Sequence, residues 1–180
     1  MDFDEGRLKE LILHIARKSE DDPNFGKTKL IKLLAWSDFL AYGRLGASLT
    51  GADYIKLDFG PAPAQFPAAL NLLRAMGRLR QVEQESFSYT QDRVLAVDGP
   101  NLGGFTPDQL GVVDEVVDRF KAWSNSELSV ESHREFVGWR LAEEGQPIPY
   151  ETVFLSPEPL TERDRERARQ VATEIGLVHG

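Results

Sequence analysis

The stretch at 27–44 constrains this chain more than any other feature, because its apolar side chains fall on most sides of a helix. These side chains are Leu30, Ile31, Leu33, Leu34, Trp36, Phe39 and Leu40. A helix that is apolar on most sides must be covered on most sides, so we expect it to be central, with other elements packed round it. Gly43 and Gly46 follow the last of these residues and predict where the helix ends.

The elements that flank the central helix are shorter. Asp4 is a predicted N-cap for a first amphipathic helix, which ends before Pro23. Residues 53–59 have the composition of a strand, and the Gly-Pro-Ala-Pro run at 60–63 predicts the end of that strand. The next predicted elements are a helix that follows this run and extends to about residue 76 and a β-hairpin with strands 81–86 and 89–97.

The second half of the chain is predicted to be helical. The motif at 106–109, Thr-Pro-Asp-Gln, combines an N-cap, a proline at the first helical position and a glutamine three residues after the cap. The helix that it begins buries Phe120. A later helix carries Phe136 and Trp139, and residues 160–175 form a charged helix with only a thin apolar stripe.

These elements predict an α+β fold that is mainly α-helical, with five or six helices packed round residues 27–44. A small antiparallel β-sheet is expected from the strand at 53–59 and the hairpin. Residues 1–155 are expected to form one domain, and 156–180 a C-terminal charged helix outside it.

The composition of the chain limits both the cellular location and the kind of partner that we expect. The chain has no cysteine, which excludes disulfides and thiol chemistry. Its net charge is −8, a sign that repels phosphate backbones and suits basic partners or simple solubility. The first residues are acidic and lack the apolar segment of a signal peptide, and no run is long enough to span a membrane. We therefore expect a cytoplasmic protein with no membrane partner.

The residues that could carry chemistry are few. Asp38 lies inside the most apolar helix, where a carboxyl group is either a functional acid or a structural acid that accepts hydrogen bonds across the core. His14, His133 and His179 are scattered and lack the spacing of a metal site. No Gly-x-Ser-x-Gly motif occurs. We therefore expect no catalytic residue, no metal and no cofactor, and we do not expect an enzyme.

The order of helix, strand, helix and hairpin between 27 and 97 also matches a winged-helix regulator that binds DNA. Residues 53–98 contain five basic and six acidic residues, which leaves this region without the positive face that such a protein needs. Nucleic acid is therefore the less favoured partner, and a DNA-binding regulator stays as an alternative.

Spaced blocks of sequence carry a resemblance to a known family. In the first half they are Lys-Leu-Ile-Lys-Leu-Leu at 29–34, Ser-Asp-Phe-Leu-Ala-Tyr at 37–42, Gly-Ala-Asp-Tyr-Ile-Lys at 51–56 and Gly-Pro-Ala-Pro at 60–63. In the second half they are Phe-Thr-Pro at 105–107, Val-Val-Asp-Glu-Val at 112–116, Glu-Leu-Ser at 127–129, Ser-His at 132–133, Trp139 and Gly-Gln-Pro-Ile-Pro-Tyr at 145–150. Through these blocks, residues 7–152 resemble the Panacea family, the SocA-like antitoxins and phage-associated proteins of bacteria and phages.

The resemblance implies an antitoxin of a toxin–antitoxin or phage-defence system. Such proteins neutralise a cognate protein toxin by direct protein–protein contact. One relative acts as an adaptor that hands its toxin to a protease, so a protease adaptor, or a phage-associated interaction domain without its own toxin, is the alternative. The tail from residue 157 onward has no counterpart in the family.

We expect the partner-binding surface to lie where charged and aromatic residues meet proline-rich turns. Our candidates for it are the proline-rich corner at 56–63, the adjoining helix start and the charged turn at 131–135. The candidate partner-binding residues are Lys56, Asp58, Phe59, Pro61, Pro63, Phe66, Glu131, His133 and Glu135. An enzyme built from scattered residues such as Asp38 and His133 would instead show a deep pocket that joins them.

Overall fold

The computed structural model describes residues 2–86, 89–158 and 161–174, and within them it is mainly helical. The helices are α1 (Glu5–Lys18), α2 (Lys27–Leu45), α3 (Phe66–Ala75), α4 (Pro107–Phe120), α5 (Asn125–Glu135), α6 (Val137–Leu141) and α7 (Glu162–Glu174), with a 3₁₀ helix at Tyr150–Phe154. The strands are β1 (Tyr54–Leu57), β2 (Gly60–Pro63), β3 (Leu79–Ser86) and β4 (Tyr89–Ala96). The prediction of a mainly α-helical α+β fold is confirmed.

Helix α2 is the centre of the fold, as its apolar composition predicts. Elements that contact it include α1, α4, α5, the first hairpin and the 3₁₀ helix, so it is covered on most sides. Its aromatic residues hold these neighbours: Trp36 packs on Phe120 with ring centroids 4.3 Å apart, and Phe39 packs on Tyr150 at 4.8 Å. Gly46 ends the helix in the left-handed conformation, with φ 77°.

The helix starts follow their local sequence signals. Asp4 caps α1 by accepting a hydrogen bond from the Arg7 amide at 2.9 Å. Thr106 and Gln109 form the capping box that the Thr-Pro-Asp-Gln motif predicts at the start of α4. A second capping box, between Ser124 and Glu127, begins α5. Reciprocal caps of this kind satisfy backbone amides that would otherwise have no partner.

The strand before the Gly-Pro-Ala-Pro run ends as predicted, but the run itself forms a second strand, which the sequence analysis did not predict. Residues 60–63 are β2 and pair antiparallel with β1 through a two-residue turn, with Tyr54 opposite Pro63. The prolines lack an N–H, yet they are tolerated because β2 is an edge strand. The other edge of β1 is also used, since the Ile148 amide donates to the Tyr54 carbonyl oxygen at 2.7 Å.

Two further differences separate the structure from the sequence-based expectation. The described residues contain two separate two-stranded sheets, β1–β2 and β3–β4, where one sheet was expected. The helix that was to carry both Phe136 and Trp139 is broken at Phe136, where ψ is 86°. The break lets α6 approach the 3₁₀ helix so closely that a Cβ on Gly138 would lie 2.4 Å from Thr152 Oγ1. Both differences depend on contacts between distant parts of the chain.

Asp38 is fully buried and organises the connection from α2 to β1. Its carboxylate accepts hydrogen bonds from the Leu49 amide at 2.7 Å, the Thr50 amide at 2.9 Å and hydroxyl at 2.6 Å, and the Tyr54 hydroxyl at 2.9 Å. Burial raises the pKa of Asp38, and the hydrogen bonds from Thr50, Tyr54 and Leu49 act in the opposite direction. Both carboxylate oxygens are therefore occupied by structural donors.

Replacing this carboxylate should destabilise the fold severely. We expect Asp38→Ala to lower the free energy of unfolding by about 3–5 kcal/mol, because it leaves buried donors without an acceptor. Asp118 on α4 is exposed and makes no side-chain hydrogen bond in the described part of the chain, so Asp118→Ala should change stability by no more than about 0.5 kcal/mol. Denaturant unfolding measures both, and equal losses would contradict the structural role.

Candidate functional site

Two lysines of α2 are buried, and their surroundings differ. Lys29 is 1% exposed and forms an ion pair with Asp22 at 2.7 Å, itself 1% exposed. Its ammonium group also donates to the Lys121 and Trp123 carbonyl oxygens at 3.2 and 2.7 Å. Lys29 therefore has a counter-ion and holds the link between α4 and α5.

Lys32, one helical turn later, is 2% exposed and has no carboxylate partner among the described residues. Its ammonium group donates to the Phe59 carbonyl oxygen and to Ser132 Oγ, the latter at 3.2 Å. Burial without a compensating negative charge lowers the pKa of Lys32 to about 8. The charge is therefore desolvated and held by two neutral oxygen atoms.

Gly60 allows Lys32 to reach the first hairpin. Its φ is 123°, a conformation that favours glycine. A Cβ at this position would lie 2.9 Å from Ser132 Oγ and 3.1 Å from Lys32 Nζ. The close approach of β2 to α2 and α5 therefore requires a residue without a side chain.

Two more basic side chains gather beside Lys32 round the ring of Trp139. His133 stacks on this ring with centroids 3.9 Å apart and planes 5° apart. Lys56 Nζ lies 4.6 Å from the ring centroid on a cation–π contact and donates to the Ala142 carbonyl oxygen at 2.9 Å. Burial lowers the pKa of His133, and the positive charges of Lys32 and Lys56 lower it further, against a hydrogen bond with the Asp58 backbone.

We call this group the basic corner and define it as Lys32, Lys56, the turn at 57–60, Ser132, His133 and Trp139. Apolar side chains project from it: Phe59 is 71% exposed, and Leu57 is also exposed. A cavity of about 110 Å³ lies between α2 and the hairpin. Its lining residues are Thr28, Ile31, Lys32, Leu57, Phe59, Gly60, Pro61 and Ala62. The corner thus combines positive charge, an exposed aromatic ring and a small cavity.

The structure brings some of the predicted partner-binding residues together and separates others. Lys56, Asp58, Phe59 and His133 lie at the basic corner. The other members of the predicted set are placed differently. Pro61 is buried but lines the cavity of the corner, whereas Pro63 and Phe66 are buried away from it, and Glu131 and Glu135 belong to a charged network on another face of α5. Residues 131–135 were expected to form a turn, but they are the end of α5, and His133 lies in its last helical turn.

The charged network borders a second feature, a cleft of about 270 Å³ whose floor is aromatic. Trp36 Nε1 donates a hydrogen bond to the Glu135 carboxylate at 2.7 Å. The Arg119 guanidinium donates to the carboxylates of Glu131 at 3.1 Å and Glu135 at 2.7 Å. The cleft is lined by Trp36, Phe39, Leu40, Arg44, Glu115, Val116, Arg119, Glu135, Phe136, Thr152, Val153, Leu155 and Pro157. Its charges are already paired with one another, unlike those of the basic corner.

Lys32, Ser132 and Trp139 are the corner residues that the sequence analysis missed as site residues. A lysine inside an apolar helix is a usable signal, because burying a charge is costly unless it is paired. Asp38, which was considered as a functional acid, accepts hydrogen bonds from Leu49, Thr50 and Tyr54 with its carboxylate oxygens. His133 lies against Trp139 instead, so the two residues have separate surroundings.

No helix in the part of the chain that the structure describes is long and apolar enough to cross a membrane.

Comparison with known proteins gives one family match. The family model described as antitoxin SocA-like, Panacea domain, matches residues 30–140, more than half of the chain. The matched range contains the first hairpin and α5, and all members of the basic corner lie within it. No curated protein and no solved structure gives a match.

The two buried lysines should respond differently to substitution. Lys29→Met leaves the Asp22 carboxylate buried and unpaired, so we expect it to lower the free energy of unfolding by about 3–5 kcal/mol. Lys32→Met leaves no charge behind, and removing a desolvated cation offsets the lost hydrogen bonds, so the loss should be about 1 kcal/mol or less. Denaturant unfolding at neutral pH measures both free energies. Equal losses would contradict the difference, because they would show that the charge of Lys32 is stabilised to the same extent as that of Lys29.

The same pair of proteins, wild type and Lys32→Met, provides a pH control. Between about pH 8 and 10.5 the unfolded state keeps the Lys32 proton that the folded state has lost. The stability of the wild type relative to Lys32→Met should therefore rise with pH through this window and be flat below it. A difference that stays constant up to pH 10.5 would contradict the lowered pKa.

Proposed function

Since this chain belongs to the antitoxin SocA-like, Panacea domain family, we propose that it neutralises a cognate protein toxin by binding it directly. The family match is the observation that carries the proposal. On this proposal the protein acts in the cytoplasm as a binding partner and catalyses no reaction.

We propose that the basic corner is the centre of the toxin-binding surface. Large aromatic side chains that are exposed in the free protein are common anchors of protein interfaces. Phe59 has this property, and the hydrogen bond from Lys32 to its carbonyl oxygen ties the turn to the central helix. The turn is therefore held in place before binding, which reduces the entropy lost on association.

An interface of ordinary size buries about 800 Å² on each partner, so residues beyond the corner itself must take part. Besides Phe59, the neighbouring elements expose Leu57 and Leu141, which are 41% and 72% exposed. Val130 on α5 is 70% exposed. Apolar residues of this kind lose water on binding and supply most of the free energy of association.

We further propose that residues 1–155 form the binding domain and that 156–180 are an appendage to it. The family match lies wholly inside the first range. In the second range, α7 is charged and its described side chains are largely exposed. Ion pairs such as Glu162–Arg165 and Glu166–Arg169, each at 3.2 Å, lie within the helix itself.

The test is to co-express this chain with the product of the gene beside its own. If that product is a toxin, its expression alone should stop growth, and this chain should restore growth and form a complex on gel filtration. Phe59→Ser should weaken the complex at least tenfold, while Phe154→Ser, an equally exposed phenylalanine beside the aromatic cleft, should not.

The outcomes separate the parts of the proposal. Restored growth without a complex would overturn neutralisation by direct binding. A complex that Phe154→Ser weakens and Phe59→Ser leaves intact would move the binding surface from the basic corner to the aromatic cleft. The free energy of unfolding of both variants, measured alongside, should stay close to that of the wild type because both rings are exposed.

A further inference from the structure

The basic corner has positive charge that nothing in the described chain neutralises by direct contact. This charge comes from Lys32 and Lys56, which both lie close enough to His133 to lower its pKa, and neither lysine forms an ion pair with a carboxylate of the described residues. The chain as a whole has 29 acidic and 21 basic residues, so acids are in excess. Lys9, Lys18 and Lys29 each pair with one of these acids.

Lys32 has hydrogen-bonding capacity left over. An ammonium group carries three N–H donors, and the structure assigns two of them, to the Phe59 carbonyl oxygen and to Ser132 Oγ. Ser132 Oγ donates its own proton to the Ser129 carbonyl oxygen at 2.9 Å. His133 Nε2 is also buried, with no hydrogen-bond partner among the described residues.

The cavity beside the hairpin gives access to Lys32. Lys32 lines it, and its volume of about 110 Å³ exceeds the roughly 30 Å³ that one water molecule occupies in the liquid. The remaining lining is largely apolar, from Ile31, Leu57, Phe59, Pro61 and Ala62. Such walls suit the methylene groups of a side chain whose end carries a negative charge.

We propose that the basic corner receives an acidic side chain of the bound partner, whose carboxylate accepts the remaining hydrogen bond of Lys32. This inference rests on the proposed function, because it names the chemistry by which the partner is recognised. The methylene groups of the aspartate or glutamate lie against Ile31 and Phe59, and Lys56 adds positive charge at the rim.

A single carboxylate fits the site better than the phosphates of a nucleic acid. A nucleic acid presents a run of charges and needs an extended positive surface. Here the basic corner offers only two lysines, Lys32 and Lys56, on a chain whose net charge is −8. A protein surface can place one carboxylate at the corner while its own basic residues face the acidic remainder.

The lowered pKa of Lys32 is what a buried cation without a paired anion should have. A lysine with a pKa of about 8 is mostly protonated at neutral pH, so the positive charge is present before binding. A carboxylate in contact would stabilise that charge and raise the pKa. Because the ammonium group is already desolvated, the partner's carboxylate meets a charge that gives up little water on binding.

The first experiment uses the free protein with acetate as the probe. NMR of the lysine side chains follows the titration midpoint of Lys32 in acetate and in chloride at equal ionic strength. Acetate should raise the Lys32 midpoint by about one pH unit. The side-chain nitrogen chemical shift of Lys29, which is equally buried and already paired with Asp22, should be the same in both salts at neutral pH. Equal midpoints of Lys32 in the two salts, or an acetate-induced change at Lys29 as large as that at Lys32, would overturn the inference.

The second experiment uses the complex with the product of the neighbouring gene. Lys32→Met should raise its Kd about 30-fold or more, because it leaves the partner's carboxylate buried without a cation. Alanine replacement of each aspartate and glutamate of the partner should find one whose effect disappears in the Lys32→Met background. Unchanged affinity of Lys32→Met would overturn the inference while leaving the proposed function intact. If the wild type forms no complex, the proposed function fails, and the acetate titration alone decides the inference.

Discussion

The structure depends on the burial of α2 on most of its sides. A helix in that position supplies the core with apolar surface, but any ionisable group that it carries must find its partners inside the protein. Helix α2 carries three such groups in its buried part, Lys29, Lys32 and Asp38. Each connects the helix to a different segment, so the connections that surround the core are specified by polar contacts as well as by packing.

The three groups differ in how completely they are satisfied. Asp38 accepts four hydrogen bonds from the segment that leads into β1, and Lys29 has both an acid and two carbonyl oxygens. Lys32 has two neutral acceptors and lies where the core meets an exposed turn. Asp38 and Lys29 therefore stabilise the fold, whereas the charge of Lys32 is the one that a carboxylate of a partner can neutralise. This contrast is why we place recognition at the basic corner.

Much of the fold could be predicted because its signals are local. The apolar composition of α2, the Asp4 cap and the capping box of Thr106 each depend on residues a few positions apart. The pairing of β2 could not be predicted in this way, because a Gly-Pro-Ala-Pro run normally ends a strand and only the register with β1 makes it one. The break at Phe136 likewise depends on the approach of distant residues to Gly138.

The site was predictable only in part, for the same reason. Sequence reasoning placed Lys56, Asp58, Phe59 and His133 in one candidate surface but did not connect them with Lys32, which comes from another element.

The most direct test of the account is hydrogen–deuterium exchange of this chain, free and in complex with its toxin. We predict slower exchange at the turn at 57–60 and in the last turn of α5. Slower exchange confined to the 3₁₀ helix and the aromatic cleft, with the corner unchanged, would contradict it.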